Sequence, residues 1–293
     1  HSITPTTPGS EGWLLVPFQG APNKATSSGP RFFTMDNGRI MSTDFLARKL
    51  RQAYVELDGK YPNFKHFEEN KERYLKIIEF ILPFSSDPRI LDIGCGFCYL
   101  TKFLKIQGSN IVAVDFFYGD IPKIRCKENA IPFFQLNIEA DDFPFGTEVF
   151  DVIILGEVLE HLNYSPLIPL REIRRVLTKG GKLILTTPNA LRLINLLKLL
   201  GGHNIYPDLN TYYQEPIFYK GKSLFYRHNR LYTIKELTQL ISQAGFRMLS
   251  SGFVSEGNYR GDNPKKVLLK SLLSPFQLIL PHFRDFLWMV AEK

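Results

Sequence analysis

The sequence predicts an α/β protein built on a doubly wound parallel sheet, and three segments carry this prediction. Residues 89–104 (RILDIGCGFCYLTKFL) combine a buried apolar strand, a loop that contains Gly94 and Gly96, and a helix. Residues 110–114 (NIVAV) form a second apolar strand. Residues 150–155 (FDVIIL) are an apolar run of the kind that parallel sheets bury on both faces.

Before the first strand, the sequence predicts a loose arm and two helices. Residues 1–30 are rich in Pro, Gly, Ser and Thr, which is typical of an arm without regular structure. Apolar residues then recur at helical spacing over residues 42–61 and again over residues 64–82.

The loop after the first strand is typical of a site for a nucleotide cofactor. Gly94 and Gly96 let a ligand come against bare backbone. A dinucleotide fingerprint needs a third glycine three positions after the second, and Tyr99 stands there in this chain. The spacing therefore argues against a dinucleotide.

The second strand ends in Asp115, twenty-three residues after Asp92. A carboxylate at the tip of this strand, at the carboxyl edge of a doubly wound sheet, can accept hydrogen bonds from both hydroxyls of a ribose. We therefore expect Asp115 to bind the sugar of the cofactor.

Two further strands deliver polar residues to the same edge. Residues 133–136 predict a third strand, which is followed by Asn137 and Ile138. The fourth strand, over residues 150–155, leads into residues 156–162 (GEVLEHL) at its carboxyl end.

The remaining elements complete the alternation of strands and helices. We predict helices over residues 167–177 and 190–200, and a third helix that begins at Thr233 with a capping box to Glu236. Residues 201–230 form a long aromatic insertion, and we assign it to the wall of the substrate pocket. The later strands are predicted at residues 182–187, 246–254 and 286–291.

Together these segments resemble the class I S-adenosylmethionine (SAM) dependent methyltransferases, in the small-molecule branch with the ubiquinone-type enzymes and methyltransferase types 11 and 23. The motif Asp-x-Gly-x-Gly-x-small corresponds to residues 92–98. The resemblance extends well over residues 64–189 and moderately over residues 231–253 and the last strand. Three other segments carry it, namely EVLEHL at 157–162, GGKLILTTPN at 180–189 and AGF at 244–246.

The resemblance implies a Rossmann-like, seven-stranded sheet with helices on both faces, and with the seventh strand antiparallel between the fifth and sixth. It also implies an N-terminal helical cap and insertions after strands five and six. Residues 1–63 would form the arm and cap, and residues 64–293 the methyltransferase domain, with substrate-side insertions at 191–230 and 255–284.

The cofactor implied by the resemblance is SAM, with S-adenosylhomocysteine (SAH) as its product. In the resembling enzymes the segment after the third strand flanks the adenine, so Asn137 takes the polar role and Ile138 packs on the base. The cofactor-binding residues expected on this basis are Asp92, Gly94, Cys95, Gly96, Asp115, Phe116, Asn137, Ile138, Gly156 and Glu157.

Methyl transfer requires in-line positioning, and deprotonation of the acceptor when the acceptor is a hydroxyl. His161 is the first candidate base because it follows the fourth strand at the ligand edge and imidazole titrates near neutral pH. His228 is the second candidate. A structural role for His161, as a cap of its loop, is the alternative.

Some of the resembling enzymes bind a divalent ion through a Glu-x-x-Glu-His sequence, and many others with the same letters bind none. The corresponding ligands here would be Glu157, Glu160, His161 and His228, in a site that could orient a diol acceptor.

Three functions therefore stay open. The first is methylation of a hydroxyl on a sugar, lipid-linked intermediate or secondary metabolite. The second is metal-assisted methylation of an RNA 3′ end, and the third is binding of SAM without catalysis.

The charge of the chain bears on its partners. The formal net charge is +7, which favours anionic partners. Basic and aromatic residues are not grouped into a recognisable RNA module, so we expect a small-molecule or lipid-linked acceptor rather than nucleic acid. The apolar segment 267–283 predicts a hydrophobic lid or an oligomer contact, and peripheral contact with a membrane is the alternative.

The chain has three cysteines, Cys95, Cys98 and Cys126. This odd number and the lack of a signal-peptide pattern predict a reducing, cytoplasmic environment. Cys95 and Cys98 form a Cys-x-x-Cys sequence, which we interpret as two small residues of the glycine loop rather than as a redox pair.

Overall fold

The computed structural model describes residues 43–58, 64–84, 87–116, 120–206, 208–257 and 263–293. The predicted arm and the end of the predicted cap, residues 1–42 and 59–63, lie outside this part of the chain. The helices are α1 (Thr43–Asp58), α2 (Phe64–Ile81), α3 (Tyr99–Ile106), α4 (Ile121–Glu128), α5 (Leu167–Val176), α6 (Leu193–Leu200), α7 (Leu209–Tyr212), α8 (Ile234–Gln243) and α9 (Pro264–Ile279). The strands are β1 (Arg89–Ile93), β2 (Asn110–Asp115), β3 (Phe133–Gln135), β4 (Phe150–Gly156), β5 (Leu177–Pro188), β6 (Ile217–Tyr219), β7 (Lys222–Leu224), β8 (Arg247–Val254) and β9 (Phe286–Glu292).

Seven of these strands form one sheet in the order β3-β2-β1-β4-β5-β9-β8. β1 to β5 pair in parallel, whereas β9 runs antiparallel to both of its neighbours, β5 and β8. The expected fold class, a seven-stranded Rossmann-like sheet with the last strand inserted antiparallel, is confirmed.

The central strands are apolar because helices cover both faces of the sheet. Leu91, Ile153 and Leu183 contribute to one core, against α5 and α8. Ile90, Val152 and other residues that alternate with them contribute to a second core, against α1, α2 and α3. Side chains on alternate positions of a strand point to opposite faces, so a strand buried on both sides reads as a continuous apolar run.

The two leading helices belong to the second core. Leu50 of α1 and Phe67 of α2 are fully buried, and the ring of Phe67 stacks on Tyr54 at 4.5 Å. Each such side chain contributes about 1.5–3 kcal/mol by leaving water. Within the described residues, α1 therefore packs on α2 and α3 around the same apolar cluster.

The main departure in the predicted sheet elements is at β5, which begins at Leu177 rather than at residue 182. The preceding helix ends at Val176, because Leu177 already pairs with Phe150 of β4. The register then shifts before Lys182, and Gly180 adopts φ 72° within this irregular stretch. The glycines that predicted a helix stop therefore lie in an irregular stretch at the start of a strand.

The aromatic insertion has structure of its own that the sequence analysis did not predict. It contains α7 and the hairpin β6–β7, whose two central residues, Lys220 and Gly221, have φ values of 46° and 75°. Positive φ at both positions is typical of the tight turn that joins two antiparallel strands. Helix α4 was also not predicted. Among the described helices, none is both long enough and apolar enough to traverse a bilayer.

Candidate functional site

A cavity of about 450 Å³ opens at the carboxyl edge of β1, β2 and β4. Its walls come from the loops that follow these strands, from the segment after β3 and from one face of α2. All the predicted cofactor-binding residues line this cavity, and so do both predicted histidines; they are Asp92, Gly94, Cys95, Gly96, Asp115, Phe116, Asn137, Ile138, Gly156, Glu157, His161 and His228.

Two glycines shape the loop after β1, and at Gly94 a packing contact within the protein adds a second reason to the expected one. Gly94 and Gly96 have φ values of 77° and 51°. A Cβ built on Gly94 would lie 2.2 Å from Cγ2 of Val158. Gly94 therefore lets the loop after β4 pack against the loop after β1, and it also lines the cavity.

Two aspartates anchor this loop. Asp115 is buried, and its Oδ2 accepts a hydrogen bond from the backbone N–H of Gly96 at 2.8 Å. Asp92 accepts from the Thr101 hydroxyl at 2.6 Å, and burial raises the pKa of Asp92 to about 7. Asp115 thus joins the tip of β2 to the glycine loop, while Asp92 holds the start of α3.

The segment after β3 is held by short-range hydrogen bonds. Oδ1 of Asn137 accepts from the N–H of Glu139 at 2.9 Å, and the N–H of Asn137 donates to Asp141 at 2.7 Å. Phe116, at the opposite side of the same region, lies 4.8 Å from the ring of Tyr219 in the hairpin. These contacts fix the orientation of the backbone around Ile138.

Arg73 of α2 is a lining residue that the sequence analysis missed. Its side chain is buried and donates to Asn70 Oδ1 at 2.8 Å and to the Thr186 hydroxyl at 3.3 Å. His66, Asn70 and Arg73 all line the cavity. Their spacing of four and three residues puts them on one helix face, but charged and polar residues make up more than half of α2, so the sequence contains no signal that marks this face.

Two carboxyl groups are buried at the end of β4. Glu157 has φ 57°, and neither its Oε1 nor that of Glu160 has a hydrogen-bond partner among the described residues. Burial raises the pKa of Glu157, and burial together with the neighbouring Glu157 raises the pKa of Glu160 well above its ordinary value. The second oxygen of Glu160 accepts from the Thr187 hydroxyl at 2.9 Å.

His161 and His228 lie side by side, with ring centroids 4.7 Å apart. Nδ1 of His161 lies 3.0 Å from the carbonyl oxygen of Arg227, which fixes a tautomer with the proton on Nδ1 and a lone pair on Nε2. Burial lowers the pKa of His161 below its ordinary value. Burial, the neighbouring His161 ring and the charge of Arg192 lower the pKa of His228 to about 4. Because both pKa values lie below 6.5, both rings are neutral at neutral pH.

Three of the four residues of the possible metal site come together. The ligand atoms of Glu160, His161 and His228 all lie within 4.8 Å of one another, and Glu157 is not part of this group. The unpartnered Oε1 of Glu160 lies 3.9 Å from Nε2 of His161. A carboxylate oxygen and two imidazoles are ligands that a divalent ion accepts.

The two insertions contribute less to the cavity than expected. Of the described residues in 191–230, Tyr226 and His228 line it, and the ring of Tyr226 is parallel to that of His161 at 5.4 Å. Phe218 is instead 77% exposed. No described residue of α9 lines the cavity, so a lid formed by this helix is not observed.

The chain is similar to known methyltransferases in sequence and in fold. The methyltransferase domain family matches residues 64–251. The ubiquinone biosynthesis O-methyltransferase of Cereibacter sphaeroides is 33% identical over 110 residues, which cover 37% of this chain and 44% of that protein. The protein of the same name from Pelagibacter ubique is 25% identical over 166 residues, which cover 54% of this chain and 68% of that protein.

A solved structure shares the fold. The SAM-dependent methyltransferase from Methanosarcina mazei aligns with a TM-score of 0.51 at 18% identity, over 74% of this chain and 96% of that one. The chain spans less than half the length of the Cereibacter relative that it matches.

Proposed function

Because this chain belongs to the class I SAM-dependent methyltransferases, we propose that it transfers a methyl group from SAM to a hydroxyl of a small or medium-sized acceptor. One observation carries the proposal: the glycine loop, the Asp115 carboxylate and the neutral His161 ring line the same cavity. Such a cavity can hold a cofactor and an acceptor in line, which is the main requirement of methyl transfer.

In this proposal the residues of the cavity hold SAM, which supplies an activated methyl group on a sulfonium centre. Asp115 accepts hydrogen bonds from the ribose hydroxyls, and Asn137 and Ile138 flank the adenine. Arg73 is the buried cation of the cavity, so it suits the carboxylate of the amino-acid part of SAM. The volume of about 450 Å³ lies within the usual range for small-molecule sites.

His161 is the proposed general base. Its Nδ1–H is directed at the Arg227 carbonyl, so Nε2 can accept the proton of an acceptor hydroxyl. Because burial lowers its pKa, the ring is in the basic form at neutral pH. The Tyr226 ring stacks parallel to this ring and the His228 ring meets it at a steep angle, and both contacts hold it in place.

Binding of SAH tests the cofactor site. The variant Asp115→Asn keeps the shape of the side chain but loses its charge, and charge-assisted hydrogen bonds contribute about 1.5–3 kcal/mol. We therefore expect isothermal titration calorimetry to show SAH binding to the wild-type protein and about 10- to 100-fold weaker binding to this variant. The exposed Asp44 of α1 provides a matched control, since Asp44→Asn removes the same charge far from the cavity. Absence of binding heat with folded wild-type protein contradicts the proposal.

A metal-assisted reaction is a second candidate, favoured by the Glu160, His161 and His228 group. These residues would hold a divalent ion, which would orient an acceptor with two adjacent hydroxyls and lower the pKa of one of them. The test is turnover before and after treatment with EDTA. Loss of turnover that Mg²⁺ or Zn²⁺ restores supports the metal, whereas unchanged turnover assigns the proton transfer to His161 alone.

For the acceptor, we propose a lipid-linked molecule reached at a membrane surface. Seven apolar side chains of α9 are exposed, namely Val267, Leu268, Leu269, Leu272, Phe276, Leu278 and Ile279. Exposed apolar surface of this extent is typical of an interaction site. Residues 264–284 contain three lysines and one arginine but no acidic residue, and although Lys270 pairs with Glu256 at 3.1 Å, the net positive charge of this segment suits an anionic lipid surface. β5 and β8 run parallel to each other, so both strands end at the edge of the sheet where the cavity opens. In the chain, α6 follows β5 and α9 follows β8.

A further inference from the structure

All three cysteines of the chain meet beneath the cofactor loop. Sγ of Cys98 lies 3.7 Å from Sγ of Cys95 and 3.7 Å from Sγ of Cys126, and the three sulfur atoms all lie within 4.8 Å of one another. Cys126 comes from α4, twenty-eight residues after Cys98. The interpretation of Cys95 and Cys98 as small loop residues did not include this third thiol.

The spacing of the sulfur atoms fits a metal rather than a disulfide. Zinc binds thiolate sulfur at about 2.3 Å, so two sulfurs of a tetrahedral zinc site are about 3.8 Å apart. A disulfide requires about 2.05 Å between its sulfurs. Both short sulfur–sulfur distances in this cluster, 3.7 Å, match the edge of a tetrahedron.

The backbone at Cys98 supports a role for its thiol. Cys98 has φ 58°, in the left-handed region where a residue with a Cβ costs about 1–2 kcal/mol more than in the right-handed region. A glycine would adopt this conformation without strain. The cysteine side chain is nevertheless 1% exposed and turned toward Cys95 and Cys126. Glycine would lack this thiol and its contacts.

We propose that Cys95, Cys98 and Cys126 bind a thiophilic cation of the zinc type, through three thiolates. Binding forms three zinc–sulfur bonds, breaks three S–H bonds and releases three protons to the solvent, with no change of oxidation state. Three protein ligands leave the fourth position for a ligand from outside this cluster. Cys95 also lines the cofactor cavity, so the ion would brace the loop that carries Gly94 and Gly96.

The test is titration of the full, reduced chain with Zn²⁺ in competition with a chromophoric chelator, and with Cd²⁺ to detect thiolate-to-metal absorption. We expect one Zn²⁺ per chain and a Cd²⁺–thiolate band. Loss of a ligand in Cys126→Ala should weaken binding by about 100-fold or more, given that outer-shell partners alone change metal affinity 10- to 100-fold. Cys98→Gly should weaken it equally.

Two variants keep this test decisive. Cys98→Gly removes the thiol and also the backbone strain at φ 58°, so its loss of metal would not result from unfolding, and a thermal melt verifies this. His228→Ala disrupts the other candidate metal group of the described residues and should leave the thiolate site intact. Zinc binding that survives in the double variant Cys98→Gly/His228→Ala, or that disappears in His228→Ala alone, overturns the proposal. So does a wild-type chain that binds no zinc or whose cysteines form a disulfide under the same conditions.

Discussion

At the scale of single residues, Gly94 illustrates how one position can satisfy two constraints. Its φ of 77° favours glycine, and the space of its missing side chain is occupied by Val158. The motif in the sequence identified the residue correctly, but the contact with Val158 depends on the fold of a loop sixty-four residues further on. Sequence reasoning could not supply that second reason.

This arrangement predicts a large effect of Gly94→Ala. The left-handed backbone costs about 1–2 kcal/mol and the overlap with Val158 about 1–3 kcal/mol, so we expect the free energy of unfolding to fall by about 2–5 kcal/mol. Urea denaturation measures this change in the free energy of unfolding. Gly108 has φ 87°, and a Cβ added to it would meet nothing within 4 Å. Gly108→Ala should therefore lower the free energy of unfolding only by the backbone cost of about 1–2 kcal/mol. In the double variant Gly94→Ala/Val158→Ala the overlap is relieved, so this variant should recover the part of the free energy of unfolding that the overlap costs. A double variant no more stable than Gly94→Ala would contradict the packing argument.

His161 predicts a pH profile. Its basic form is required, and burial lowers its pKa below the ordinary 6.5, so the acidic limb of the activity profile should have its midpoint below pH 6.5. The variant His161→Gln should lower kcat by about 10²- to 10⁴-fold and remove this acidic limb, while SAH binding is unchanged. Activity measured from pH 5 to pH 8 checks both effects. If His161→Gln retains the wild-type limb, another group is the base.

At the scale of elements, the strands were predicted best and the insertions worst. β1, β2 and β4 are buried on both faces, so their composition alone marks them. The hairpin β6–β7 has three-residue strands with mostly exposed or half-exposed side chains, so neither alternation nor a long apolar run signals it. Its turn at Lys220–Gly221 was the one local clue.

Helix α9 is the element whose surface most needs a partner. Leu272 and Phe276 lie one turn apart and are 66% and 58% exposed. Because a large apolar side chain contributes about 1.5–3 kcal/mol on burial, and 1.4 kcal/mol is tenfold in affinity, the double variant Leu272→Glu/Phe276→Glu should bind vesicles at least about tenfold more weakly. Cosedimentation with vesicles that contain anionic lipid measures this.

The same experiment has internal controls. Val55 of α1 and Ile106 of α3 are 64% and 44% exposed, so the double variant Val55→Glu/Ile106→Glu adds the same two negative charges outside the proposed membrane face and should bind like the wild type. Binding should weaken as salt is raised, since the lysines of 264–284 contribute through charge. Wild-type protein that stays in the supernatant with anionic vesicles would exclude a membrane, and a concentration-dependent mass in the same buffer would assign α9 to a contact between copies.

At the scale of the whole molecule, the sequence predicted the edge of the sheet at which the site lies. The carboxyl ends of β1, β2 and β4 meet there, so residues separated by more than sixty positions in the chain, such as Asp92 and Glu157, line one cavity. The resemblance implied that the leading helices cover the cofactor, but the sequence did not identify Arg73 as the side chain that α2 contributes. Arg73 enters the cavity because α2 packs across the sheet on the second core, and that placement depends on tertiary contacts.

The position of β9 has a consequence for how the protein is made. This strand is the last described element in the order of synthesis, yet it lies between β5 and β8 in the sheet. Until residues 286–292 have been synthesised, β8 lacks the strand β9 with which it pairs, and the edge of β5 that pairs with β9 is unpaired. Nascent chains halted before Phe286 should therefore expose two open strand edges and be held by chaperones, whereas synthesis of β9 joins the two parts of the sheet in a single step.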